Sequence, residues 1–134
     1  MSKDNRSEQD DVRMINFAKA SLYHWKLSPQ FESVNEQRGE WMISRVYTVL
    51  EKGNEALHHA HETMRLTNEH GFKDFDLAYA YEAMARSYAA SKNEDSFSEF
   101  YSKAKDAGEL INGSEDKKYF IDDLASKPWF EFGV

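Results

Sequence analysis

Apolar residues recur every three to four positions along most of this chain, and strand-like alternation occurs nowhere. Met14, Phe17, Ala18, Ser21, Leu22 and Trp25 mark the inner face of a first helix, from about Asp11 to Trp25. It stops before Pro29, because the residue preceding proline avoids the helical region. Ser28 can then cap the next segment, with Pro29 at its first position. A second helix spans Arg38 to Glu51, with Ile43, Tyr47 and Leu50 on one stripe and Met42, Val46 and Val49 on another. So wide an apolar surface predicts burial on two sides. Gly53 ends this helix, and Asn54 caps a third that carries Ala56, Leu57, Ala60, Met64 and Thr67 inward.

Gly71 closes the third helix. A fourth opens at Asp74 or Asp76 and runs to Ser91, with Leu77, Tyr81, Met84, Ala85 and Tyr88 on one side. Asn93 caps a fifth, which presents Phe97, Phe100, Tyr101, Ala104, Ala107 and Leu110. A short sixth helix follows Ser114, with Tyr119, Phe120, Ile121 and Leu124 inward, and Pro128 ends it. The expectation is an all-α fold of antiparallel hairpins: five main helices and a short C-terminal one. Residues 1–10 read as a polar tail and residues 11–134 as a single domain.

Composition narrows the function classes. The 134 residues can enclose a genuine core, and an aromatic content of 14% points to helices packed by large side chains. A formal charge of -7 argues against nucleic acid and anionic membrane surfaces. With no cysteine, disulfides and thiol chemistry are excluded. No apolar run is long enough for a membrane span, which makes the cytoplasm the expected location.

The fourth and fifth helices resemble a tetratricopeptide repeat. Tyr81, Met84, Ala85 and Tyr88 fit its helix A, and Phe97, Tyr101 and Ala104 its helix B. Phe97 stands where the repeat usually has alanine, so a wider crossing is expected there. Ile43, Ser44, Tyr47 and Ala56 fit the template more loosely on the second and third helices, where Ala60 replaces an expected aromatic. Tyr47 and Tyr88 lie 41 positions apart rather than the repeat's usual 34, which implies a lengthened pair. The resemblance covers about half the chain and implies a tetratricopeptide-like right-handed superhelix.

The blocks Tyr23-His24-Trp25, Arg38-Gly39-Glu40-Trp41, Ser44-Arg45-Val46-Tyr47 and Asp74-Phe75-Asp76-Leu77-Ala78 also resemble an uncharacterised family of small bacterial helical proteins, as do Ala80-Tyr81-Glu82-Ala83 and Asp122-Asp123-Leu124. That likeness spans nearly the whole chain. It implies a helical fold and a bacterial origin, with no activity to carry over.

In tetratricopeptide arrays helix A lines a concave, partner-holding groove. Carried onto this chain, the resemblance implies a groove lined by Arg38, Trp41, Arg45 and Thr48 from the second helix, and by Tyr79, Glu82 and Arg86 from the fourth. Arg45 and Arg86 fall at equivalent positions. Together with Trp41 and Tyr79 they would suit a protein or peptide bearing an acidic group beside an apolar one. The competing reading is internal pairing, of Glu82 with Arg86 and of Arg45 with Glu40 or Asp76. His24 is a further candidate contact if the first helix closes the groove, or else a structural histidine.

The alternative function is metal binding on the third helix, through Glu55, His58, His61 and Glu62, with His59 alongside. Glu55 and His58 form a single carboxylate-x-x-histidine unit where di-iron bundles need two. His61-Glu62 begins a zinc-protease-like motif, but Arg65 takes the second histidine's place. A solvated helix face accounts for the same residues. No phosphate loop or nucleophile elbow occurs, and no cofactor or catalytic residue is expected. The pair Asp122-Asp123 is expected to face solvent. Trp129, Phe130 and Phe132 in the aromatic tail either fold back over the last hairpin or join two copies into a dimer.

Overall fold

The computed structural model describes residues 7–130. They form six helices: α1 (Glu8–Lys26), α2 (Ser33–Val49), α3 (Gly53–His70), α4 (Phe75–Ala90), α5 (Glu94–Glu109) and α6 (Ser114–Ala125). Among the described residues there is no strand. Short connections make neighbours antiparallel, and each helix packs on the next in sequence. In addition α2 packs on α4, and α4 on α6. The even-numbered helices therefore form one layer, with α3 and α5 behind it.

Several boundaries differ from the sequence expectation, each for a local reason. Glu8–Asp10 are not part of a tail but the first turn of α1. Ser7 and Asp10 form a reciprocal capping box, with Asp10 N–H donating to Ser7 Oγ at 3.1 Å and Ser7 N–H to Asp10 Oδ2 at 3.2 Å. Ser28 does not cap α2. Its hydroxyl oxygen accepts from Gln30 N–H inside a turn, and α2 starts at Ser33, after Ser28 but ahead of the expected Arg38, where Asn35 Oδ1 accepts from Glu32 N–H at 2.8 Å. Gly53 does not end α2 either. Glu51 takes the left-handed conformation there (φ 61°), and Gly53 is the first residue of α3. A Cβ at Gly53 would lie 2.8 Å from the backbone nitrogen of Ser91, so the missing side chain is what lets α3 start against the end of α4.

The main core cluster lies around α4 and α5. Ala78, Ala85, Ala89, Phe97 and Ala104 are buried in one cluster with Phe120, Leu124 and Trp129. Alanines on α4 let its neighbours approach closely while aromatics fill the remaining space. Phe97, the departure from the template, meets Trp129 at 5.5 Å between ring centroids. The chain's own tail thus covers Phe97, and Trp129 is only 4% exposed. The fold-back alternative thus holds for Trp129, and Phe130 lies partly buried against the same cluster. Phe132 lies outside the described residues.

The first helix is the outlier. It packs on α2 alone and buries only Ala18 and Leu22. Phe17, expected on the inner face, is 76% exposed, and Trp25 is also exposed. Leu22 occupies the notch above Gly39, where a Cβ would come within 2.4 Å of Leu22 Cδ1.

A candidate peptide groove on the even-numbered helices

Residues at spacing i, i+3, i+7 share one helix face. Arg38, Trp41 and Arg45 do so on α2, and Tyr79, Glu82 and Arg86 on α4, 41 positions further along the chain. The structure brings both triplets together, with α6 alongside. They do not all face outward.

Glu82 is fully buried and is the hub. Its Oε1 accepts the Trp41 indole N–H at 2.8 Å, and its Oε2 accepts from Arg45 Nη1 at 2.8 Å and from Arg86 Nε. Arg86, at 1% exposure, is also interior. Its remaining donors reach the carbonyls of Asp123 (2.8 Å), Ser126 (3.2 Å) and Pro128 (3.0 Å). Its guanidinium lies 4.1 Å from the centroid of the Trp129 ring. Burial pushes Arg86 below its ordinary pKa, and the Glu82 carboxylate acts against that shift.

The expectation that Arg86 and Glu82 face a ligand is therefore corrected. Both lie beneath the groove, and internal pairing is what they do. Thr48 is buried as well. Arg45 keeps partial access, but it is committed to Glu82 and lies 3.5 Å from Asp123 Oδ1, rather than pairing with Glu40 or Asp76. Glu40 instead meets His59 Nδ1 at 2.8 Å.

Above this polar floor, between α2, α4 and α6, lies a cleft of about 260 Å³. Arg38, Trp41 and Met42 form one wall, Phe75, Asp76 and Tyr79 another, and Tyr119 and Asp123 the third. Trp41 packs edge-on against Tyr79 with centroids 5.3 Å apart, and Phe75 lies 4.7 Å from Tyr79. The polar ends of these rings are turned inward. Tyr79 donates its hydroxyl to Asp123 Oδ2 at 2.9 Å. Burial, then the hydrogen bond and charge of Asp123, hold the Tyr79 phenol well above its usual pKa, so it stays protonated. At the mouth, Arg38 grips Asp76 through Nε (2.9 Å) and Nη2 (3.2 Å), while its side chain stays 58% exposed.

Phe75, Asp76, Tyr119 and Asp123 were not among the expected groove residues. Tyr119 was assigned inward yet is 65% exposed at the rim. Asp123 was assigned to solvent yet is half-buried in the network; only Asp122 is exposed, beside Lys118 at 2.6 Å. The available signal was spacing, because Tyr119 and Asp123 are four apart and share a face of α6. His24 is exposed and lines no part of this cleft.

On α3, Glu55, His58 and His61 are exposed, and Glu62 pairs with Arg65 at 2.8 Å. Among the described residues no three His, Asp or Glu side chains converge as a metal site would require. None of the described helices is long and apolar enough to cross a membrane. Compared with known proteins, the chain matches no family model, no curated protein and no solved structure.

Proposed function

We propose that this chain is a non-enzymatic binding module of tetratricopeptide-like architecture, and that it holds a peptide segment of another protein in the cleft between α2, α4 and α6. The observation that carries this reading is the inward tethering of the aromatic rings. Trp41 and Tyr79 spend their polar groups on Glu82 and Asp123, and so turn apolar ring surface toward the cleft. Such a frame is pre-organised, and little side-chain entropy is lost when it receives an anchor.

The size supports a peptide over a free small molecule. A volume near 260 Å³ falls under the roughly 300–1,000 Å³ of small-molecule pockets and matches one large side chain. The layering of α2, α4 and α6 is what a helix-A groove requires. No specific observation favours the metal-binding alternative: among the described residues no three His, Asp or Glu side chains are gathered as a metal site needs.

Selection of short peptides from a random displayed library on the full chain tests the proposal. Selected peptides should share a large apolar residue. Their affinity should fall at least ten-fold on Tyr119→Asp, which places a charge on the exposed rim. Leu110→Asp, at an exposed residue that does not line this cleft, should leave binding unchanged. Equal binding to both variants would remove the site from this cleft.

A further inference from the structure

The cleft has a neighbour. On the opposite flank of α2 lies an open hollow between α1 and α2, floored by Ala18, Leu22 and Gly39 and walled by Trp25. Arg38 and Met42 border both depressions. They form a ridge with an aromatic-walled hollow on either side, and both Met42 and Trp25 are exposed.

We infer that the groove is built for a proline-rich segment in the polyproline II conformation, with two large anchors three residues apart seated on either side of the Arg38–Met42 ridge. This rests on the peptide-binding reading above and names the kind of peptide.

Spacing is the first argument. Hollows in successive inter-helix grooves lie about one helix spacing apart, roughly 8–10 Å. Polyproline II rises about 3.1 Å per residue with three residues per turn, so positions i and i+3 share a side about 9 Å apart. A β-strand's same-side pair, i and i+2, spans only about 7 Å.

Surface chemistry is the second argument. Trp25, Trp41, Phe75 and Tyr119 offer the aromatic walls against which proline rings and apolar anchors dock.

The ridge itself is the third. Two of Arg38's five N–H donors go to Asp76, and its side chain is well exposed. A polyproline II strand makes no internal hydrogen bonds, so its carbonyls are available to the remaining donors. A neutral carbonyl suits this place better than a carboxylate. Arg38 is already paired with Asp76, and Arg45 with Glu82 and Asp123, so neither arginine is left to neutralise an added negative charge.

The experiment is a titration of the ¹⁵N-labelled full chain with blocked peptides acetyl-Pro-X-Pro-Pro-Z-Pro-amide. X and Z run through Leu, Phe, Tyr and Trp, and the indole N–H signals of Trp25 and Trp41 are read. The best pair should move both indoles. Replacing either anchor by Gly, shortening the spacer to one proline, or placing Asp in the spacer should each weaken binding at least ten-fold. Arg38→Gln should weaken it about five-fold without a loss of thermal stability.

Equal binding by the shortened peptides, or a response from Trp41 alone, would overturn the two-hollow assignment. If none of these peptides binds but a library-selected peptide still moves Trp41, the polyproline inference fails and the binding module stands. If no peptide of either kind moves Trp41, both fail. Concentration-dependent dimerisation that moves both indoles without peptide would identify a second copy as the occupant instead, and would overturn the inference.

Discussion

Trp41 on α2 and Glu82 on α4 are 41 residues apart in sequence, and the indole of one donates to the carboxylate of the other at 2.8 Å. Glu82 also receives Arg45 and Arg86. One buried carboxylate thereby joins α2 and α4. Through Arg86 it also reaches the carbonyls that hold Trp129 in place. Groove and tail share this single polar floor.

Removing the hub charge leaves Arg86 buried without its counter-ion. Glu82→Gln should therefore cost about 3–5 kcal/mol of stability. Asp76→Asn, which breaks the exposed pair with Arg38, should cost less than about 1 kcal/mol. Urea unfolding of the two variants checks the contrast.

Trp129 fills the space left between Phe97, Tyr101 and Arg86. Trp129→Ala should destabilise the protein by about 3–5 kcal/mol, as truncation of a large core aromatic does. Phe17→Ala on exposed α1 should stay within about 0.5 kcal/mol of the wild type. Similar losses at both positions, in thermal or urea unfolding, would contradict the placement of the tail.

Folding raises the affinity of Tyr79 for its proton above that of a free phenol near pH 10. The folded state thus binds this proton more tightly than the unfolded chain. The associated stability is fully present below about pH 10 and is lost as the pH rises above it. Wild type should accordingly lose stability more steeply than Tyr79→Phe as the pH rises above about 10. Paired denaturation curves across that rise provide the check, and parallel decline would contradict it.

Gly53 meets Ser91 where α3 begins, and a Cβ there would press on backbone as well as on the Ser91 hydroxyl. Gly53→Ala should cost about 1–3 kcal/mol by overpacking. At Gly39 the obstacle is the flexible end of Leu22, so Gly39→Ala should cost less and displace α1. Unfolding midpoints of the two variants give the comparison.

Much of the helical framework could be read from apolar spacing, because α4 and α5 follow the 3.6-residue period closely and carry their alanines where close approach needs them. The ends were harder to place. Glu51 turns left-handed without a glycine to mark it, and α2 starts at Ser33, ahead of the expected Arg38, where Asn35 accepts from the Glu32 N–H. For the site, spacing chose the right faces of α2 and α4 but not their depth. The repeat template put Arg86 and Glu82 in the groove, with their internal pairing as the competing reading. Their burial depends on the returning tail and on Asp123 of α6, both more than thirty-five positions away along the chain. Tyr119 and Asp123 went unassigned to the groove because the repeat template ends before α6.

The central claim is that the even-numbered helices present the binding surface. The most direct measurement is a map of ¹⁵N chemical-shift changes across the full chain on saturation with the tightest selected peptide. The account predicts the largest changes at Arg38, Trp41, Met42, Tyr79 and Tyr119, with α3 and α5 nearly silent. Changes concentrated around His58 and His61 on α3, or the absence of any saturable change, would contradict it.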